Sequence, residues 1–184
     1  MNINGKPNGE TDYLAISCYQ MLKNIYTKEY SEIMELFYGI YVSELTSSDG
    51  TIVHSVRPES YSMLDLELPK KTPTLYDCFD SFTCYEILEG ENAWYNEKTQ
   101  QKENVKKRIT FWSLPKILII TLKRFSFDGR HKRQDLVQCP LRNLDLSKYV
   151  SGYKAKQYLY DLYAVCNHSG GTQGGHYTSF VKTK

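Results

Sequence analysis

The sequence has almost no excess of charge of either sign. Its 184 residues include 23 lysines and arginines against 21 aspartates and glutamates. A protein that binds nucleic acid through its phosphates usually carries a clear basic excess. We interpret the basic cluster at Lys102, Lys106, Lys107 and Arg108 as a solvated face. We therefore expect no nucleic-acid partner.

The sequence also lacks a long hydrophobic run. The longest one, Ile117 to Leu122, is far shorter than the roughly 20 apolar residues that a membrane-spanning helix needs. The first residues are polar and show no secretory or lipidation pattern. We expect no membrane span and a cytoplasmic or nuclear protein. The sequence does not indicate an oligomeric state.

Paired cysteine motifs are missing as well. The five cysteines are Cys18, Cys78, Cys84, Cys139 and Cys166, and none belongs to a Cys-x-x-Cys pair. An odd number of cysteines in a chain of this size argues against a disulfide framework. No zinc knuckle has a ligand set. We expect five reduced thiols, most of them buried, and no metal or other cofactor.

The segments that are present indicate an α+β fold. Apolar residues recur at helical spacing near 12–25, 31–37 and 74–82. The last helix is predicted to begin with a capping box formed by Thr74 and Asp77. Alternating or β-branched segments predict strands within 40–69 and over 116–125, 158–167 and 176–182. Helices followed by an antiparallel β block are typical of the α+β class.

The segment that carries the most chemistry contains two histidines, His168 and His176. They flank a loop with four glycines between residues 170 and 175. Histidine is well suited to exchange a proton near neutral pH, and glycine lets a substrate chain approach the backbone closely. If both flanks are strands, the histidines lie at the two rims of one hairpin mouth. Two interpretations stay open on chemistry alone: a functional site, or two surface histidines on an ordinary hairpin.

The same segment resembles the histidine box of the ubiquitin-specific proteases. It reads Tyr160-Asp-Leu162-Tyr-Ala164-Val165-Cys-Asn167-His168, then Gly170, then Gly174-Gly175-His176-Tyr177-Thr178-Ser-Phe180. Further segments resemble other parts of that family in the same order: Ser31 to Gly39, Leu66 to Pro69, Leu75 to Phe79, Leu114 to Phe125 and Pro140 to Tyr149. The resemblance runs from about residue 12 to residue 182.

The resemblance implies a fold and a domain plan. The fold would be the ubiquitin-specific protease variant of the papain-like cysteine-protease superfamily, with a mostly antiparallel sheet and a few short helices. Residues 1–184 would form a partial catalytic domain. Its parts would be a helical lead-in at about 12–38, fingers at 39–110 and a palm with the histidine box at 111–184. The strands at 116–125, 158–167 and 176–182 would belong to the palm sheet.

The resemblance also implies a function. A deubiquitinating thiol hydrolase cleaves the peptide or isopeptide bond after the C-terminal glycine of ubiquitin, so the partners would be ubiquitin and ubiquitinated proteins. His176 matches the catalytic histidine, which deprotonates the cysteine thiol and then protonates the departing amine. His168, Gly174, Gly175 and Tyr177 match positions that would bind the substrate, with the glycines forming a narrow channel for the ubiquitin tail.

Two catalytic elements of the family do not occur in this sequence. The Gly-Asn-Thr-Cys-Tyr motif is absent, and so is the Asp or Asn that normally follows the histidine box. Cys166 would share a strand face with His168, but about 7 Å away, so we favour a buried structural thiol over a nucleophile. The chain alone is therefore expected to be inactive. The alternative is a catalytically inactive ubiquitin-binding or scaffold module of the same fold.

The zinc ligands of the fingers are also replaced. Many members of the family hold zinc there with two Cys-x-x-Cys pairs. The matching positions here are Ser47, Gly50, Asn96 and Thr99. Hydroxyl and amide oxygens are poor tetrahedral zinc ligands. We expect fingers without zinc, held by packing and strand pairing.

Overall fold

A computed structural model describes residues 5–183, so the predicted domain of residues 1–184 extends past the described part at both ends. The α-helices of this part are α1 (Glu10–Lys28), α2 (Glu32–Phe37) and α3 (Leu75–Thr83). They confirm the three predicted helices. None of the helices in the described part has the length and apolar character that crossing a bilayer requires.

Helix α3 shows how local chemistry fixes an element. The Thr74 hydroxyl accepts a hydrogen bond from the Asp77 amide at 3.1 Å, and the Asp77 carboxylate accepts one from the Thr74 amide at 2.7 Å. This is the predicted capping box, and it satisfies donors that a helix start leaves unpaired. The helix buries Leu75, Cys78 and Phe79.

The strands of the described part are mostly short. They are β1 (Gly39–Ser47), β2 (Val53–Tyr61), β3 (Leu64–Leu66), β4 (Glu86–Leu88), β5 (Trp94–Asn96), β6 (Gln101–Glu103), β7 (Val105–Ser113), β8 (Ile120–Leu122), β9 (Leu144–Asp145), β10 (Leu159–Tyr160), β11 (Ala164–Gly171) and β12 (Gly174–Val181). Short 3₁₀ helices lie at Gly90–Asn92, Ser147–Tyr149 and Ala155–Gln157.

The largest sheet has the order β2-β1-β7-β4, with every neighbouring pair antiparallel. Helix α1 covers one part of it, where Ala15 and Cys18 pack with Ile40, Val42 and Trp112. The main core lies beside α3. Its fully buried members include Phe79, Phe111, Leu64, Leu66 and Leu146.

The prediction of one palm sheet from 116–125, 158–167 and 176–182 is wrong. The first segment contains only β8, which pairs in parallel with β3. The second is divided between β10, which pairs with β9, and the beginning of β11, and the third lies in β12, which pairs with β11. On either side of β8 the backbone bonds to other segments: the Ile117 amide donates to the Leu36 carbonyl oxygen in α2, and the Arg124 carbonyl oxygen accepts from the Arg133 amide.

Candidate active site

The two histidines lie on one antiparallel ribbon formed by β11 and β12, here called the histidine hairpin. The prediction of a glycine-rich loop is wrong. The two strands extend to Gly171 and Gly174, and the turn between them consists of Thr172 and Gln173. The glycines serve the pairing itself. Gly170 has φ +123°, and a Cβ on it would lie 2.5 Å from the Gly174 carbonyl oxygen. Two strands can approach this closely only without a side chain at that position.

The strand register separates the two histidines. His168 pairs with Tyr177, and Ser169 pairs with His176. Directly paired residues project to the same face of an antiparallel ribbon, and successive residues alternate between faces. His168 and Tyr177 therefore share one face, while His176 projects from the other. The prediction that the histidines lie at the two rims of one mouth is wrong by this one-residue offset.

The face of His168 is ordered by aromatic packing. The His168 ring stacks on Tyr177, with centroids 4.5 Å apart and an interplanar angle of 26°, and it lies 6.1 Å from the Phe125 ring. A Cβ on Gly175 would lie 2.3 Å from His168 Nε2. Glycine at position 175 therefore leaves the space that the imidazole occupies. Three of the four predicted substrate-binding residues, His168, Gly175 and Tyr177, are brought together here.

A lysine that sequence reasoning missed holds this face to the rest of the protein. Lys132 belongs to the 126–133 turn, and its ammonium donates to the carbonyl oxygens of His168 at 2.7 Å and Gly170 at 3.1 Å. The same Nζ lies 3.1 Å from His168 Nδ1. In the sequence this turn has only the pattern of a loop, so nothing local could have identified Lys132.

The face of His176 is open. His176 is exposed, and the described residues make no hydrogen bond to its ring. Phe180 lies on the same face, four residues after His176, and is 68% exposed. Its cross-strand partner Val165 is 38% exposed. An exposed imidazole beside exposed apolar side chains can meet a further protein segment or a substrate from this side.

The cysteines lie elsewhere. Cys166 pairs with Ser179, which places it on the His168 face, away from His176. It is exposed, so the prediction of a buried structural thiol is wrong, because no element within residues 5–183 covers this part of the ribbon. Cys84 and Cys139 are also exposed, and only Cys18 and Cys78 are buried, so the prediction of mostly buried thiols is wrong too. Burial raises the pKa of the Cys18 thiol to about 12, which suppresses its nucleophilic form.

A carboxylate accepts the hydrogen bonds that close the β1–β2 turn. This turn is one of the two places where the family's zinc ligands would lie. Asp49 accepts hydrogen bonds from the Ser47 hydroxyl at 2.5 Å and from the Thr51 amide at 3.0 Å. The Ser47 hydroxyl bond, followed by those from Thr51, lowers the pKa of Asp49 to about 2. Gly50 completes the turn with φ +79°.

The β5–β6 turn is organised in the same way. Glu103 accepts hydrogen bonds from the Thr99 hydroxyl at 2.6 Å and from the Asn96 amide nitrogen at 2.9 Å. These two bonds, the Thr99 bond first, lower the pKa of Glu103. Within residues 5–183 no group of three or more His, Cys, Asp or Glu side chains could hold a metal ion. Hydrogen bonds to carboxylates therefore close both turns in this structure.

Comparison with known proteins gives a consistent result. A family described as UCH, ubiquitin carboxyl-terminal hydrolase, matches residues 11–184. The chain is similar to "Ubiquitin carboxyl-terminal hydrolase 19" of Homo sapiens, with 50% identity over 113 residues that cover 59% of this chain and 9% of that protein.

Two further relatives match longer segments. "Ubiquitin carboxyl-terminal hydrolase 4" of Pongo abelii is 41% identical over 126 residues, 67% of this chain and 13% of the relative. "Ubiquitin carboxyl-terminal hydrolase 15" of Homo sapiens is 39% identical over 129 residues, 68% of this chain and 13% of the relative. The chain thus spans only a small part of the length of the curated relatives it matches.

Proposed function

Because the chain belongs to the ubiquitin carboxyl-terminal hydrolase family, we propose that it is part of a cysteine-type deubiquitinase. The reaction is hydrolysis of the peptide or isopeptide bond that follows the C-terminal glycine of ubiquitin. The family match, with the mostly antiparallel strand pairing, confirms the predicted α+β, papain-like fold class. The observation that carries the proposed activity is His176, which lies within the matched family segment and on the open face of the histidine hairpin.

In the proposed mechanism His176 moves protons between three groups. Its neutral imidazole takes the proton of a cysteine thiol, and the thiolate attacks the carbonyl carbon of the ubiquitin terminal glycine. The tetrahedral intermediate collapses when the imidazolium gives its proton to the departing amine, which leaves a thioester. The imidazole then takes a proton from water as the water oxygen attacks the thioester, and the thiolate leaves and is reprotonated.

The proposal needs a thiol outside the described residues. Cys166 projects from the opposite face, and Cys84 and Cys139 make their sulfur contacts with the carbonyls of Ser81 and Pro140. The open side of His176 is the direction from which a cysteine of the whole protein would approach. A residue that orients the imidazole would also come from outside residues 5–183. We therefore propose that the chain by itself does not hydrolyse ubiquitin conjugates.

The two faces of the hairpin suggest two roles in substrate binding. His176 would act at the scissile bond. His168 and Tyr177, whose rings stack on the other face, would contact the ubiquitin tail further from that bond. Gly175 and Gly174 follow His176 toward the turn of the hairpin, and their lack of side chains would let an extended tail pass close to the backbone.

Kinetics on a ubiquitin–fluorophore conjugate test the proposal in the full-length protein that carries this chain. His176→Ala should lower kcat by about 10²–10⁴-fold or more, because it removes both thiol activation and proton donation. His131→Ala is a matched control, since His131 is an exposed histidine outside the hairpin. A His176→Ala protein that keeps more than half of kcat would refute the role of His176. A wild-type protein that binds ubiquitin without cleaving the conjugate would favour the inactive binding or scaffold module.

A further inference from the structure

The ammonium of Lys132 has a complete set of acceptors at the histidine hairpin. Its three N–H donors meet the carbonyl oxygens of His168 and Gly170 and the Nδ1 atom of His168, at 2.7, 3.1 and 3.1 Å. A lysine ammonium has three donors and no acceptor, so these contacts use it fully. Charge-assisted bonds of this kind are stronger than those between neutral groups.

This contact determines how the His168 ring is protonated. Because an ammonium can only donate, Nδ1 of His168 must accept, and the neutral ring carries its proton on Nε2. That nitrogen is directed toward Gly175, where a Cβ would lie only 2.3 Å away. The ring therefore offers an N–H donor beside the Gly174–Gly175 pair. Stacking on Tyr177 holds the plane of the ring in this orientation.

The position of Lys132 is itself fixed by the main body of the protein. Lys132 forms an isolated β-bridge with Phe125, and its ammonium lies 5.5 Å from the centroid of that ring. The next residue, Arg133, donates to the Lys70 carbonyl oxygen at 2.9 Å and to the Asp135 carboxylate at 2.9 Å. Lys132 thus connects a turn anchored to the core with a ribbon that is exposed almost throughout.

We propose that Lys132 is a positioning residue, which holds His168 as an Nε2–H donor directed at the ubiquitin tail. Its role in substrate binding rests on the proposed function, whereas its effect on the His168 ring does not. His176 projects from the opposite face, so loss of Lys132 should weaken binding of the tail and leave proton transfer largely intact.

The first measurement is the protonation of His168 in this chain, read from long-range ¹H–¹⁵N spectra. At a pH at which the imidazole is neutral, His168 of the unmodified chain should carry its proton on Nε2. Lys132→Met, which removes the three donors at similar side-chain length, should give a mixture of both tautomers. Lys132→Arg should restore the Nε2–H form. Lys123→Met is the matched control, because the Lys123 ammonium pairs with the exposed Glu67 carboxylate, outside the hairpin. A His168 ring that is unchanged in Lys132→Met would overturn the proposal.

The second measurement is ubiquitin affinity in the full-length protein, made in a His176→Ala background so that turnover plays no part. Lys132→Met should raise Kd about tenfold, as expected for loss of the hydrogen bond that the positioned His168 Nε2–H donates to the tail. Lys132→Arg and Lys123→Met should stay within about threefold of the background. In the active protein the same change should appear in KM more than in kcat.

The outcomes distinguish the two proposals. An unchanged Kd in Lys132→Met, or a fall in kcat with KM unchanged, overturns the positioning role even if the enzyme is active. Absence of ubiquitin cleavage by the wild-type protein refutes the proposed deubiquitinase activity. In that case the altered tautomer and the weaker ubiquitin binding of Lys132→Met would still support the positioning role of Lys132.

Discussion

The β1–β2 hairpin and the histidine hairpin are built from strands of similar length, but they have opposite environments. Strands β1 and β2 have 9 residues each, and β11 and β12 have 8 each. Strand β1 lies between two other strands, and its Ile40 and Val42 are each 2% exposed. In the histidine hairpin His168 is partly buried, and the other residues of both strands are exposed. An isolated two-stranded hairpin is only marginally stable in water, so the second hairpin depends on a few tertiary contacts.

The two turns differ in the same sense. The first turn is held by a side chain within it, the Asp49 carboxylate. The second contains no carboxylate and is held from outside, because the Thr172 hydroxyl donates to the Gly129 carbonyl oxygen at 3.1 Å and Lys132 donates to His168 and Gly170. The first hairpin contributes to the core of the protein. The second displays its side chains for contact, which suits a site that works on a large substrate.

The largest difference in stability is expected between a substitution in the core beside β1 and a substitution on the exposed histidine hairpin. Phe111, on β7 beside β1, is fully buried and contacts Phe79, Phe82 and Tyr61. Phe111→Ala should lower the free energy of unfolding by about 3–5 kcal/mol. Phe180→Ala, on the exposed face of β12, should change it by less than about 0.5 kcal/mol. Denaturant unfolding of both variants measures this, and equal losses would contradict the distinction between the two hairpins.

A smaller loss of stability is expected from a substitution at one of two glycines within the histidine hairpin. A Cβ at Gly175 would lie 2.2 Å from the Ser169 carbonyl oxygen and 2.3 Å from His168 Nε2, whereas one at Gly171 would meet no atom within 4 Å. Gly175→Ala should therefore destabilise the chain by about 1–3 kcal/mol. Gly171→Ala is the control and should be neutral within about 0.5 kcal/mol. Similar unfolding curves for the two variants would mean that His168 does not occupy the described position.

The smallest effect should be a local response to acid at the first turn. The folded-state pKa of Asp49, about 2, is below its ordinary value of 3.8, so the bonds of Asp49 stabilise the turn fully above pH 4. That contribution is lost as the pH falls from about 4 to 2. Amide exchange at Thr51 should accelerate over this range, beyond its intrinsic pH dependence, and the Thr172 amide should show no such step. Asp49→Asn should abolish the step at Thr51, and a step that persists would refute this account.

Local features of the fold could be predicted from the sequence. The capping box of Thr74 and Asp77 was predicted correctly, because the two residues that form it are three positions apart. The helical spacing in α1 and the end of α2 before Gly39 are local in the same way. Contacts between distant segments could not be predicted. The parallel pairing of β3 with β8 joins residues such as Asp65 and Thr121, and no local pattern specifies that partner.

The candidate site shows the same division. The family motif pointed to His176 and His168 as candidate site residues, but not to the face that each of them occupies. That depends on strand register, and a shift of one residue moves every side chain to the opposite face. The turn at Thr172 and Gln173 sets this register, whereas the glycine content suggested a longer loop. Lys132 is separated from His168 by 36 positions, so only the folded chain brings it to the site.

The division of the two histidines between opposite faces is tested most directly by comparing His176→Ala with His168→Ala in the full-length protein. Both should be measured for kcat and KM on a ubiquitin–fluorophore conjugate. His176→Ala should lower kcat by about 10²–10⁴-fold or more with little change in KM, since it removes proton transfer. His168→Ala should raise KM about tenfold and keep kcat within about tenfold, since it removes a contact to the ubiquitin tail. The same pattern of loss in both variants would contradict the account.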